Sequence, residues 1–438
     1  MSNYLWLFGR CLAIVWLGWH LVASAASPSP APDALLAVFD QVLQEVVAVR
    51  QLTPTAPIAR QVRGREHIRA SIEALIDDEL SPAEWEAERK AMIRWGLIAP
   101  DFHLREFVMD LLTEQVAGYY DPQKRTFFVA DWLPEAVQIP VMAHELVHAL
   151  QDQHYNLQTN FATVKGQDDL SLARKALIEG DALAVMLTYI LQPLGLSMEQ
   201  LPDMQTLLQA GAEMVGEPFQ VYAKAPLILR QQLVFPYVHG LAFVKVALAH
   251  GGWAGLERIY RHPPVSTEQI LHPEKYFAAT PDLPRHVQLA APAASLLTAW
   301  EPIRDNVLGE FLLSVVLQQF LPETEARRSV VGWEGDRYVL FERRGGQELL
   351  LVCVTAWDTE AAAVTFFESY ATLLTQKYVA WEMTSPADVA ERQLQHNDTR
   401  VLLRRRGRRV SIIEGARSVD LEALRMLVQE TTITPSTP

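Results

Sequence analysis

One eleven-residue stretch, HELVHALQDQH, constrains this chain more than any other part of its sequence. Its first two histidines, His144 and His148, are four residues apart and have mostly apolar neighbours. This pattern predicts a buried helix from Pro140 to about His154, with both imidazoles on one face. Two imidazoles arranged in this way can reach a single Zn²⁺ at about 2.0–2.1 Å. The stretch therefore predicts a zinc site on a core helix.

A catalytic zinc site needs further groups, and the sequence offers candidates for them. Glu145 is offset around the helix from the histidines, where it can serve as general base toward a metal-bound water. For the third ligand we favour Glu179, which lies in the apolar helix predicted for residues 168–191. A buried carboxylate requires a partner, and the metal would supply one. The alternative is a salt bridge from Glu179 to Arg174 or Lys175.

His154 is the competing candidate for the third ligand. It follows His148 at the spacing found in metzincins, although Gln151 stands where those enzymes have the glycine of a sharp turn. If the helix continues through Gln151, His154 is rotated by about 120° from His148 and lies nearly two turns beyond it. In that case His154 cannot share the metal.

Composition restricts the class of protein. Half of the 438 residues are apolar, so the chain can bury a large core and is not mainly disordered. Its formal charge of −14 argues against nucleic-acid binding, which requires a basic face. The presence of only two cysteines, Cys11 and Cys353, argues against a disulfide-stapled scaffold. Cys353 falls in an apolar predicted strand and is expected to be a core residue.

The N-terminus predicts export. Arg10 precedes an apolar run, and residues 23–25 form an Ala-Ser-Ala pattern, so residues 1–26 are typical of a signal peptide cleaved near Ala25. The alternative is an uncleaved anchor helix over residues 5–26, which would attach the protein to a membrane. A Pro-rich linker, residues 27–32, follows. We therefore expect a periplasmic or secreted protein, whose oligomeric state the sequence leaves open.

Two domains are expected after the linker. Residues 33–292 are mainly helical with a small β element, and residues 293–430 alternate strand pairs with helices. That alternation predicts an α+β sandwich, of which the ferredoxin-like arrangement is one form. Residues 431–438 are expected to be a frayed tail. The basic run at residues 404–409 lies at a predicted hairpin turn, and we interpret it as a solvated loop.

The site motif resembles the gluzincin branch of zincin metallopeptidases, in which a second helix offers a glutamate such as Glu179. More of the chain is similar to a group of exported bacterial proteins regarded as zinc peptidases. The segments that carry this similarity are GYYDP at 118–122, HELVHALQDQH at 144–154, EGDA at 179–182, FPY at 235–237, GGW at 251–253, STEQILHP at 266–273, GWEGDRY at 332–338 and WDTE at 357–360.

The resemblance implies a zincin-like fold for residues 33–292 and further site residues. It implies a downstream donor to the oxyanion, for which His272 is the first choice and Tyr237 and His239 come next. Four positions after the metal glutamate, gluzincins often have an acidic residue that orients a ligand histidine. Here that position is Leu183, so Asp181 or Asp152 is expected to substitute.

The function expected from these features is an exported zinc metallopeptidase that acts on a peptide or protein substrate. His144, His148 and Glu179 would hold Zn²⁺, Glu145 would be the general base, and His272 would stabilise the oxyanion. Two alternatives remain at this stage. One is an inactive, zinc-containing extracytoplasmic binding or assembly protein. The other is a zinc hydrolase that cleaves a non-peptide bond, because the motif activates water without selecting the electrophile.

Overall fold

The computed structural model describes residues 32–132, 135–201, 220–383 and 390–436. The expected signal or anchor segment, residues 1–26, and the linker up to residue 31 lie outside the described residues. The described chain is mainly helical in its N-terminal region and rich in sheet toward its C-terminus.

The N-terminal region combines long helices with a small sheet. Its first part contains α1 (Pro32–Arg50), β1 (Ala59–Arg63), α2 (Arg65–Glu79), α3 (Pro82–Trp95), α4 (Leu104–Gln115), β2 (Gly118–Asp121) and β3 (Thr126–Ala130). Its second part contains α5 (Glu135–Tyr155), α6 (Leu157–Asn160), α7 (Asp168–Leu191), α8 (Gln220–Lys224), α9 (Leu227–Arg261), α10 (Thr267–Leu271) and α11 (Pro273–Tyr276).

The C-terminal region is built on a long antiparallel sheet. Its elements are β4 (His286–Gln288), α12 (Ala294–Ala299), β5 (Trp300–Asn306), α13 (Gly309–Gln318), α14 (Glu323–Ser329), β6 (Trp333–Arg343), β7 (Leu349–Trp357), α15 (Glu360–Lys377), β8 (Glu382–Met383), β9 (Glu391–His396), β10 (Thr399–Arg406), β11 (Arg409–Arg417), α16 (Leu421–Glu430) and β12 (Thr432–Thr434). The sheet order is β5-β6-β7-β11-β10-β9-β8.

Several predicted helices are confirmed, because their local signals are strong. Helix α7 spans residues 168–191 as predicted, and α3 begins with the reciprocal capping box between Ser81 and Glu84. Helix α5 begins five residues before the predicted start, so Pro140 lies within it. Element α9 consists of two helices that meet at non-helical backbone at Gly251 and Gly252, so the helix end predicted there is confirmed. Its first helix begins at Leu227, nine residues before the predicted start at Pro236.

The small sheet differs from the prediction. The run 125–130 is confirmed as a strand, β3, but it lies at the centre of three strands in the order β1-β3-β2. Strand β1 pairs parallel with β3, and β2 pairs antiparallel with it. Tyr119 and Tyr120, for which the sequence predicts no strand, belong to β2, as does Asp121, which it interprets as a turn residue. Strand β1 carries three polar residues in five, and its pairing with β3 is a tertiary contact that local pattern does not reveal.

Helices α7 and α9 cross at two glycines. A Cβ placed on Gly180 would lie 2.8 Å from the Leu241 nitrogen, and one placed on Gly240 would lie 2.9 Å from the Ala176 carbonyl carbon. The two backbones therefore touch where α9 passes α7, one residue from Glu179. Both helices are long and apolar enough to cross a membrane by length and composition, and half or more of each apolar window is buried in the protein.

The C-terminal region differs from a four-stranded ferredoxin-like arrangement, because its antiparallel sheet has seven strands. The strands absent from the prediction, such as β5 and β9, are mostly polar and lie toward the sheet edges. The expected frayed tail contains β12, which pairs with β4 while Ile433 packs on the core beneath α16.

One apolar core crosses the predicted domain boundary at residues 292 and 293. The Trp95 and Tyr338 rings meet edge to face with centroids 5.6 Å apart. Nearby, the buried Arg304 guanidinium lies 2.8 Å from Glu88 and 3.3 Å from Asp168. The helices and the sheet thus pack on each other through both apolar and charged contacts. The division into two domains remains a prediction.

Candidate metal centre

Helix α5 positions the histidine pair in the interior. Its apolar residues, including Leu146, Val147 and Leu150, pack against α1 and α7, which fixes the rotation of the helix. His144 is fully buried and His148 is 6% exposed. Their rings lie at 83° with centroids 4.6 Å apart, so one turn of helix brings both imidazoles to the same place.

Glu179 reaches the histidine pair from α7. Its Oε2 lies 3.2 Å from His144 Nε2 and 3.5 Å from His148 Nε2. One possible ligand atom from each of the three residues lies within 4.8 Å of the others. Two imidazole nitrogens and a carboxylate are a donor set that zinc binds in proteins. The structure therefore contains a candidate metal-binding group of His144, His148 and Glu179.

The hydrogen bonds around His148 leave its Nε2 atom available for a cation. Gln151 Nε2 donates to the Ile178 carbonyl and to Asp181 Oδ2, so the Gln151 amide oxygen faces His148 Nδ1 at 2.8 Å. An amide oxygen only accepts, which places the imidazole proton on Nδ1. In the neutral form of His148, Nε2 then directs its lone pair toward Glu179 Oε2, 3.5 Å away, and it has no hydrogen-bond partner among the described residues. This orphaned, buried acceptor fits a metal ligand.

The charges of the three groups are strongly coupled. Burial lowers the pKa of His144 below its usual range. Burial also opposes charge on His148, but the Glu179 carboxylate outweighs it and raises the pKa of His148. Burial likewise disfavours the Glu179 anion, and the charge of His148 outweighs it and lowers the pKa of Glu179. A cation and a proton on His148 would thus compete for the same carboxylate and nitrogen.

Glu145 lies beside the triad and faces the small sheet. Its Oε2 accepts the Tyr120 backbone N–H at 2.8 Å, and the residue is 1% exposed. Burial raises the pKa of Glu145 to about 8. A carboxyl with its pKa raised in this way exchanges its proton in the pH range around neutrality.

A buried polar network contacts His148 through its Nδ1 atom. Asp181, which accepts from Gln151, forms an ion pair with Arg50 Nε at 2.8 Å and accepts the Tyr260 hydroxyl at 2.8 Å. Arg50 and Asp181 are both fully buried. Asp181 is therefore linked to His148 through the side chain of Gln151. Asp152 instead accepts from the Tyr120 hydroxyl.

The structure does not bring every expected site residue to the triad. His154 is exposed, and its Nε2 lies 2.8 Å from the Thr53 carbonyl. His272 pairs with Glu310 at 2.9 Å, next to α10. Helix α10 contacts the N-terminal end of α7, where the Thr267 backbone N–H donates to Asp169. Asp169 precedes Glu179 by ten residues, or about 15 Å along α7, so His272 lies far from the triad.

The other two candidates for the oxyanion donor lie on α9. The Tyr237 ring is buried with its centroid 6.4 Å from that of His144. His239 lies against Phe235, with centroids 5.0 Å apart. Of the three candidates, Tyr237 is the one whose ring neighbours a ligand histidine.

A second carboxylate cluster does not resemble a metal site. Glu268, Asp282 and Asp358 have oxygens close enough together to hold a cation. The Lys275 ammonium already contacts all three, at 2.5, 2.8 and 2.9 Å. The lysine therefore supplies the positive charge that these carboxylates require.

Sequence reasoning missed three groups around the triad. From the sequence, Gln151 was noted only because it replaces the glycine of the metzincin pattern. Its position one helical turn after His148 could have indicated that its side chain contacts the His148 ring. Arg50 and Tyr120 carry no local signal, because they reach the site through long-range packing. These groups join the HExxH helix to α1 and to β2.

The fold and site define a helical protein with a buried candidate metal centre of the HExxH kind. A family model described as a domain of unknown function, DUF8575, matches residues 298–425, which lie in the sheet-rich region. No curated protein matches the chain.

One solved structure is similar to this chain, and it is described as "a putative hydrolase with a novel fold from Chloroflexus aurantiacus". The two share 17% identity, and the alignment covers 62% of this chain and 96% of the other with a TM-score of 0.35. At that TM-score the likeness carries no conclusion about this chain.

Proposed function

We propose that this protein is a zinc-dependent peptidase. The observation that carries the proposal is the convergence of His144, His148 and Glu179, with the carboxyl of Glu145 beside them. Three protein ligands leave a fourth zinc position open, as catalytic sites require. A zinc ion bound there would act as a Lewis acid and lower the pKa of a water in the open position.

In this proposal Glu145 would be the general base. The charge of a bound zinc ion would favour the ionised form of Glu145, and the carboxylate would then accept a proton from the attacking water and return it to the leaving amine. Tyr237, whose ring lies near His144, replaces His272 as the preferred donor to the oxyanion. Gln151 and Asp181 would keep His148 in the tautomer that a metal requires.

Strand β2 gives a reason to prefer a peptide over other substrates. The Tyr120 N–H points away from β3 and toward Glu145, so the free edge of β2 faces α5. An extended peptide laid along this edge would use backbone hydrogen bonds for affinity, as in other cases of strand addition. Its carbonyl would then lie beside Glu145. Binding would require Glu145 to release the Tyr120 N–H.

The test combines metal content with peptide hydrolysis. Glu145→Gln should retain zinc but lower hydrolysis of a peptide library by about 10²–10⁴-fold. Glu179→Gln should lose zinc, and His154→Ala, on the exposed side of α5, is the matched control that should change neither. Full hydrolysis by Glu145→Gln, or a purified protein without tightly held zinc, would refute the proposal.

The burial of the triad favours a second candidate, a zinc-containing binding or assembly protein. All three ligands and Glu145 are at most 6% exposed. Stoichiometric zinc without hydrolysis of any peptide, together with loss of folding when zinc is removed, would identify a structural centre.

We also propose an extracytoplasmic location, with residues 1–26 acting as a signal peptide or an anchor. Fractionation and N-terminal sequencing of the native protein test this location. A mature N-terminus near residue 26 supports cleavage, and an intact N-terminus in the membrane fraction supports anchoring. Recovery of the intact chain in the cytosol would contradict export.

A further inference from the structure

A basic pocket lies at the hairpin end of the seven-stranded sheet, away from the candidate metal centre. Its volume is about 390 Å³, within the range of small-molecule sites. Five arginines line it together with one acidic residue, Glu334; they are Arg285, Arg404, Arg406, Arg408 and Arg409. This concentration of positive charge is unusual in a chain whose net charge is −14.

Strand alternation and the end of a helix create the pocket. Along β10, Arg404 and Arg406 share a face with Leu402, which is buried in the core beneath α16. Helix α16 ends at Glu430, and its residues Val428 and Gln429 form one wall. Beyond that wall the sheet face is uncovered and carries the arginines. The basic run interpreted from sequence as a solvated loop is therefore part of a concave surface.

Backbone carbonyls hold Arg408 and Arg409 in place. Arg409 donates to the backbone carbonyls of Val428 and Thr431, and Arg408 donates to that of Asp358. Backbone carbonyls fix a guanidinium while leaving its positive charge intact.

Carboxylates neutralise only part of the pocket. Glu334 lies 2.6 Å from Arg285 and 4.0 Å from Arg408, and Glu391 lies 3.4 Å from Arg404. Within the described ranges, Arg406 makes no ion pair. Burial and the neighbouring Arg406 charge lower the pKa of Arg409, which agrees with an excess of positive charge. A pocket in this state favours an anion.

We propose that this pocket binds a phosphate monoester. Guanidinium groups match phosphate oxygens with paired hydrogen bonds, and several arginines around one cavity suit a dianion better than a single carboxylate. The volume leaves space for the group esterified to the phosphate. Soluble phosphate esters and phosphatidic acid headgroups share this chemistry.

The test uses the full chain at fixed ionic strength and measures binding of phenyl phosphate by calorimetry. Arg406→Gln should weaken binding about tenfold or more, and Arg404→Gln/Arg406→Gln should weaken it further. The matched control is Arg405→Gln, because Arg405 points to the opposite face, where it contacts Glu360 at 2.8 Å. Far-UV circular dichroism establishes that each variant is folded, and Arg406→Gln has no ion pair to lose.

A second experiment, with lipid vesicles, distinguishes a lipid headgroup from a soluble phosphate ester as the ligand. Phosphatidylcholine vesicles with and without phosphatidic acid are sedimented with the wild-type protein and the variants. Co-sedimentation that requires phosphatidic acid and Arg406 supports a lipid headgroup, and binding of phenyl phosphate without co-sedimentation supports a soluble ester. If the wild type binds neither probe, or if Arg405→Gln and Arg406→Gln weaken binding equally, the proposal is wrong.

Discussion

The substitution Gly240→Ala tests whether the helix crossing sets the geometry of the candidate metal centre. The added Cβ would lie 2.9 Å from the Ala176 carbonyl carbon and 3.2 Å from the Ala176 Cα, and it would overlap the Ala176 carbonyl oxygen more severely. These are backbone atoms of α7, so no side chain can rotate away. Relief requires α9 and α7 to separate by on the order of 1 Å.

The expected cost follows from two opposing effects. Overpacking a dense core costs about 1–3 kcal/mol, and backbone overlap belongs at the upper end of that range. Alanine in a helix gains about 0.5–1 kcal/mol over glycine. We therefore expect Gly240→Ala to lower the free energy of unfolding by about 2 kcal/mol. Because Glu179 adjoins the crossing, zinc affinity should fall as well.

Gly255 provides a control in the same helix. A Cβ there would make ordinary contacts at 3.6 and 3.7 Å, so Gly255→Ala should stabilise the protein by about 0.5–1 kcal/mol. Urea unfolding followed by circular dichroism, with zinc affinity measured by chelator competition, compares the two variants. If Gly240→Ala is as stable as Gly255→Ala, the crossing does not constrain α7 and this reasoning fails.

Two further predictions concern the polar groups of the interior. Gln151→Leu removes the link between His148 and Asp181 and should weaken zinc binding about 10–100-fold, as measured by chelator competition. Gln153→Leu is the control, because the Gln153 side chain contacts Thr55 and Ala56 instead. Equal zinc affinities of the two variants would show that the link is not needed. Burial, with Asp336 and Glu310 nearby, raises the pKa of Asp169 to about 8, so the unfolded state loses this proton first as pH rises. The stability from protonated Asp169 is fully present below about pH 4 and is lost progressively up to pH 8. Denaturant unfolding across this range should show a smaller loss of stability for Asp169→Asn than for the wild type, by at most about 6 kcal/mol, and parallel profiles would contradict the pKa shift.

The candidate ligands were predictable from sequence because their signals are local. His144 and His148 are one helical turn apart among apolar residues, and Glu179 stands out as a carboxylate within an apolar helix. The groups behind them were not predictable in this way. Arg50 reaches Asp181 over 131 residues of sequence, and Tyr120 belongs to a strand whose pairing depends on β3.

The same distinction explains the C-terminal region. The two strand pairs around Gly345-Gly346 and Gly407 have strong apolar runs and turn residues, and the structure confirms both hairpins. Strands β5, β8 and β9 gain their place from partners already in the sheet, so their sequences carry little signal. The alternation of arginines along β10 was visible, but the point at which α16 stops covering the sheet was not.

The Arg50–Asp181 pair also sets a time at which the candidate centre can first exist. During synthesis Arg50 precedes Asp181 by 131 residues, which corresponds to roughly 7–26 s at 5–20 residues per second. Throughout that interval α1 lacks the ionic partner that it meets on α7, and once His148 has been made the two histidines still lack Glu179, which follows 31 residues later. The HExxH helix alone would then hold a metal loosely, so the chain would acquire its ion late, after α7 has joined α1 and α5.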